Sequence, residues 1–150
     1  MPLISQENQN YLRDRFSKEL VNDVSVTVFT QHDSTLSVPS EPCTYCKDTT
    51  ELMKEVASLS DKIKLDVLDF VADKERAKQM GVDKIPAIVF DGVAKNRVKY
   101  YGIPSGYEFS SLIEDIIDVS RGKTDLSDKT KQALQALSKD LHIQVFVTPT

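Results

Sequence analysis

The chain has 150 residues, 40% of them hydrophobic, which suits one domain with a real core and leaves no room for two large ones. Its formal net charge of -4 repels phosphate backbones and anionic headgroups, so neither nucleic acid nor a membrane surface is expected as partner. No stretch reaches the roughly 18 apolar residues that cross a bilayer, and "MPLISQENQNYLRDRF" lacks the basic start and apolar run of a signal peptide. These features lead to the expectation of a cytoplasmic protein, a compartment where a close cysteine pair more often means redox catalysis or metal than a permanent staple.

In chain order, "SQENQNYLRDRFSKEL" sets Leu12, Phe16 and Leu20 at helical spacing behind Ser5, a plausible N-cap. "VSVTVF" (24–29) alternates, is β-branched, and reads as a strand. The polar, proline-containing "TQHDSTLSVPSEP" reads as a long loop. A helix is expected to begin at Cys43, with Leu52, Met53, Val56 and Leu59 on its apolar face. "KIKLDVLDF" (62–70) reads as a strand and "ADKERAKQMGV" as a short helix stopped by Gly81. "IPAIVFDG" and "NRVKYYG" read as two strands joined by a turn around Asp91-Gly92. "SGYEFSSLIEDIIDVSRG" is a helix that turns Phe109, Leu112, Ile113, Ile116 and Ile117 inward and stops at Gly122.

Beyond that point the texture changes. "KTDLSDKTKQALQALSKD" reads as a polar linker and a helix with Leu134 and Leu137 as its apolar contacts. "HIQVFVTPT" is a strand pattern with no following element to cover it. The expected division is a unit over 1–122 and, over 123–150, a linker helix with the start of a second unit. An apolar strand without neighbours is an edge liability, so this tail is expected to pack weakly or to pair with another chain.

The only two cysteines, Cys43 and Cys46, sit where a loop gives way to an amphipathic helix. Free N–H groups and the positive end of the helix dipole stabilise a thiolate there, and the thiolate is the nucleophile. Cys43 is then the exposed attacker and Cys46 the more buried resolving thiol. Three other readings stay open. A structural staple over so short a loop would contribute little. Zinc needs four ligands, and the two histidines, His32 and His142, lie far apart in sequence. Two chains sharing an iron–sulfur cluster would use the same pair. His32 and Lys47 could support a thiolate or simply be solvated. Glu41 would oppose one but is screened. The aromatic face of Tyr45 could meet a bound peptide or glutathione. No acid/base dyad is visible, and neither a resident cofactor nor a metal is expected.

The order of elements, a βαβ unit followed by a β-hairpin and a helix, resembles the thioredoxin arrangement, an α/β fold. "CTYC", "VDKIPAIVF" and above all "YYGIPSGYEFSSLIEDI" resemble the protein disulfide oxidoreductases of archaea and some bacteria, often called glutaredoxin-like. These carry two thioredoxin-fold units in tandem. The resemblance implies dithiol–disulfide exchange on proteins, with Cys43 as nucleophile, Cys46 as resolving thiol, and Ile85-Pro86 as a cis bond lying against the active disulfide. It also implies a thioredoxin reductase-like electron donor, and it makes this chain the first of the two units, with "IQVFVTPT" as the first strand of the second. The Thr44-Tyr45 dipeptide, in place of Pro-Tyr, and the long loop at 30–42 depart from the family pattern and bear on the redox potential. The same tandem fold forms the N-terminal domain of the flavoprotein subunit of alkyl hydroperoxide reductase, whose first unit typically lacks the cysteines and acts in docking.

Overall fold

The alternating β-branched segments assemble into one four-stranded sheet, and the helices cover both its faces. The computed structural model describes residues 2–31, 43–92 and 98–147. The elements are α1 (Gln6–Glu19), β1 (Val24–Thr30), α2 (Cys46–Ala57), β2 (Ile63–Asp69), α3 (Lys74–Gln79), β3 (Ala87–Asp91), β4 (Val98–Tyr101), α4 (Tyr107–Arg121) and α5 (Asp128–Gln135). The strand order is β2-β1-β3-β4. The α2 crossover makes β1 and β2 parallel, while β3 is antiparallel to both β1 and β4. The expected thioredoxin-like order is therefore present.

Period-two alternation splits the buried side chains between two cores. Val24, Val26 and Val28 of β1, with Ile88 and Phe90 of β3, join α1, α2 and α4 in the larger one. The residues between them, Phe29, Ala87 and Val89, join Ala77 and Val82 around α3 in the smaller. All the inward positions expected on α2 and α4 are buried except Phe109, which is half-buried.

The caps follow from residue type. The Ser5 side chain accepts from the Asn8 amide at the start of α1. At the end of α3, Gly81 takes φ 65°. Its amide reaches the Lys78 carbonyl at 3.0 Å and the Val82 amide reaches the Ala77 carbonyl at 2.8 Å, the paired bonds of a Schellman turn. Val82 and Ala77 are both buried in the smaller core, which supplies the apolar contact that accompanies such a turn. α1 and α4 are tied by Arg15, which bridges Glu19 and Glu114, and by Arg121, which also reaches Glu19.

The tail packs weakly, as expected, but its helix contacts and its strand do not form. α5 forms, capped by Ser127, but buries no residue, and Leu134 and Leu137 are exposed rather than packed. Residues 141–147 form no strand, and Ile143, Val145, Phe146 and Val147 are exposed. The pattern is strand-like, but a strand exists only by pairing, and 141–147 pair with no strand of this sheet.

Candidate active site

The two cysteines form a disulfide, with Sγ–Sγ 2.04 Å and Cα–Cα 5.5 Å. It closes a single turn leading into α2. The Cys46 amide faces the Cys43 carbonyl at 3.4 Å, and the Thr49 amide reaches the Tyr45 carbonyl at 2.9 Å. The helix therefore begins at Cys46 rather than at Cys43, with Cys43 in the turn before it. Cys43 lies in the turn that the disulfide closes, and Tyr45 at the N-cap supplies no side-chain cap. Cys43 is half-buried, whereas Cys46 is 3% exposed. One sulfur-bearing residue thus meets solvent and the other faces the core, the order expected of an attacking and a resolving thiol.

The turn is anchored from the sheet. The Cys43 amide donates to Oε1 of Gln31, the residue after β1, at 3.2 Å. Ile85-Pro86, which leads into β3, is a cis bond, as the resemblance implied. Phe29 pairs with Ala87, so the next residues outward are Thr30 on one strand and Pro86 on its neighbour. The disulfide turn and the cis bond therefore lie at the same end of the two central strands. Pro86 is buried and Ile85 half-buried against the smaller core. The Pro86 carbonyl accepts from the Gly102 amide at 2.9 Å, which ties the start of the Gly102–Phe109 motif to this corner. Beyond Ile85, Lys84 Nζ stands 5.8 Å from the centre of the Tyr101 ring.

The other sequence expectations divide. Tyr45 is 52% exposed beside the disulfide, so its ring is free to meet a bound molecule. Lys47 is exposed on the first turn of α2 and His142 is exposed on the distant tail. His32 and Glu41 lie outside the described residues, as does most of the 30–42 loop. Among the described residues, no three or more His, Cys, Asp or Glu side chains cluster as metal ligands would. Two contributors were missed by sequence reasoning. Gln31 reads as an ordinary loop residue, and only its place one step beyond β1 hints at its role. Thr49 reads as one of two polar residues on a helix, yet it is 0% exposed and, among the described residues, its Oγ1 has no hydrogen-bond partner. The signal available was its spacing: Thr49 shares the inward face with Cys46, Met53 and Val56.

The family described as Thioredoxin domain matches residues 35–114, just over half the chain. The chain belongs to the thioredoxin-domain family. It is a thioredoxin-fold oxidoreductase with its C-x-x-C pair at disulfide distance. It is 32% identical over 93 residues to a probable thioredoxin of Methanothermobacter thermautotrophicus, covering 61% of this chain and 94% of that one. Among solved structures it is similar to a protein disulfide oxidoreductase from Aeropyrum pernix, with 31% identity and a TM-score of 0.73 over 89% of this chain. The match covers 55% of that protein, so the chain spans about half its length. The N-terminal domain of the alkyl hydroperoxide reductase AhpF from Enterococcus faecalis, at 23% identity and the same TM-score of 0.73, shares the fold. That match covers 91% of this chain and 62% of that one. Among the described residues, no helix of this thioredoxin-domain protein is long and apolar enough to cross a membrane.

Proposed function

We propose that the chain catalyses dithiol–disulfide exchange on protein substrates and that it is the first unit of a tandem protein disulfide oxidoreductase. The observation that carries this reading is the asymmetry of the pair: Cys43 half-buried and Cys46 buried, joined at the entry to α2 at the same end of the central strands as the Ile85-Pro86 bond. In the reducing direction the Cys43 thiolate attacks a substrate disulfide. An S–S bond to Cys43 forms and the first substrate sulfur leaves with the electron pair. Cys46, deprotonated, then attacks Cys43 Sγ, the second substrate sulfur leaves, and the Cys43–Cys46 disulfide remains. The substrate is reduced by two electrons and the pair is oxidised by two. A dithiol donor such as a thioredoxin reductase-like partner restores the pair.

In this reading Tyr45, Ile85 and Pro86 form the surface on which an extended substrate segment lies. The exposed Tyr45 supplies an aromatic contact and the half-buried Ile85 an apolar one. The tandem part of the proposal is supported by the half-length match to the A. pernix oxidoreductase and by the exposed apolar stretch at 141–147. Residues 1–122 are then the complete unit, 123–150 lead into a second, and the protein works in the cytoplasm. Without that second unit, the tail provides an apolar surface through which the chain self-associates.

The test is insulin-disulfide reduction with dithiothreitol, combined with titration of thiolate absorbance. The wild type should accelerate insulin precipitation, and its Cys43 thiol should titrate below about 7.5. Cys43→Ser should abolish the activity, and Cys46→Ser should trap a mixed disulfide with the substrate. A wild type as inactive as Cys43→Ser would overturn the reading and favour a docking unit. Metal or labile sulfide in anaerobically purified protein would favour a cluster-binding module.

A further inference from the structure

We propose that Thr49 is a positioning residue for the Cys46 sulfur: its hydroxyl donates a hydrogen bond to the Cys46 thiolate once the disulfide opens. The inference rests on the exchange reading above and adds to it a determinant of the redox potential.

The argument starts from two adjacent threonines that behave differently. Thr50 Oγ1 donates to the Cys46 carbonyl at 2.8 Å, the usual way for a helical hydroxyl to satisfy itself. Thr49 does not follow. Its side chain is fully buried and, among the described residues, its Oγ1 has no partner. The Tyr45 carbonyl one turn back accepts the Thr49 amide at 2.9 Å but not the Thr49 hydroxyl. A buried hydroxyl without a partner is costly, and native proteins rarely keep one without a use for it.

Cys46, three residues back among the buried residues of α2, carries a group that changes its hydrogen-bonding character. Residues three apart are neighbours on one helix face, with Cβ atoms about 5–6 Å apart. Helical side chains lean toward the N-terminus, so Thr49 covers the turn that holds Cys46. Both residues face the interior, beside the fully buried Met53. In the oxidised state Cys46 Sγ is half of a disulfide, a weak acceptor. In the reduced state it is a thiol or thiolate, and hydrogen bonds to an ionised acceptor are among the strong ones. A thiolate buried among apolar groups is otherwise disfavoured. The Thr49 hydroxyl is thus unpartnered in one redox state and partnered in the other.

Its effect falls on one step. When a donor thiolate attacks Cys43 Sγ, the Cys43–Cys46 bond breaks and the electron pair leaves on Cys46 Sγ. The Thr49 O–H donates to that sulfur as the charge develops. A second donor thiolate then attacks the donor sulfur of the mixed disulfide, which leaves oxidised donor and two protein thiols, with two protons taken from solvent. By favouring the reduced state, Thr49 makes the pair more oxidising than it would be with an apolar residue in its place.

The experiment is equilibration of the wild type, Thr49→Val, Thr49→Ser and Thr49→Ala against mixtures of reduced and oxidised glutathione. Thr49→Val should shift the equilibrium about tenfold toward the disulfide, which is about 30 mV more negative for this two-electron couple. Thr49→Ser should stay at the wild-type position, and Thr49→Ala should move with Thr49→Val. Melting separates this from mere packing: Thr49→Val should leave the oxidised form as stable or more stable, while lowering the melting point of the reduced form. An unchanged equilibrium in Thr49→Val, with the wild type active, overturns the role of Thr49 alone. A wild type that neither exchanges with glutathione nor reduces insulin overturns the exchange reading beneath it.

Discussion

Tyr100 on β4 donates its hydroxyl to the Asp115 carboxylate on α4 and sets its ring edge-on to Phe90 at 6.0 Å. Burial, then this bond, pushes the Tyr100 pKa well above the ordinary tyrosine value of 10.0. The folded-state pKa lies above the unfolded one, so the stabilisation is fully present below pH 10 and is lost as pH rises through the folded value. Alkaline absorbance titration should show Tyr100 and, by burial beside Asp83, Tyr101 staying protonated past 10, and Tyr100→Phe should remove the more strongly delayed component. A wild type in which every tyrosine ionises near 10 would contradict the buried bond. This contact was not legible beforehand, because nothing in "VKYY" pairs Tyr100 with a carboxylate on another element. The cysteine pair and the Ile-Pro were legible, because each announces itself by residue type and spacing. Gln31 and Thr49 were not, since a hydrogen bond made or withheld depends on which face the fold turns inward.

Ser120 near the end of α4 joins three elements. Its Oγ accepts from the Val21 and Asn22 amides, each at 3.0 Å, and donates to the Asn22 carbonyl at 2.6 Å. Its carbonyl accepts from the Asn22 side chain at 2.9 Å. A buried serine here closes the corner between α1 and β1, which has no regular partner for its own amides. Ser120→Ala should lower stability by about 2–3 kcal/mol, because it leaves two amides and a carbonyl unmet. Urea denaturation should show a lower midpoint with an unchanged slope. An unchanged midpoint would mean that water replaces the hydroxyl. The elements themselves were largely readable, since β1, β3, α2 and α4 carry strong periodicity and α1 and α3 carry clear stops. What could not be read was the start of α2, which follows the turn that the disulfide closes, and the fate of 141–147, which depends on a partner strand.

At the scale of the whole molecule, the sheet and its two cores are complete before α5. α5 buries nothing and the following apolar residues are exposed. A chain ended after Lys123 should therefore melt within about 0.5 kcal/mol of the full chain, as expected when only surface contacts are lost. The self-association proposed for the exposed apolar tail predicts that the full chain associates with concentration in sedimentation and the shortened one does not. A large drop in stability would mean that 124–150 pack on the sheet in solution.

The bond from Gln31 to the Cys43 amide spans 12 positions. It ties the turn that carries Cys43 to the residue that follows β1. Doubling the length of such a connection adds only about 0.6 kcal/mol of closure entropy. Length added between Gln31 and Cys43 is therefore expected to cost the fold little, and a variant lengthened there should melt close to the wild type.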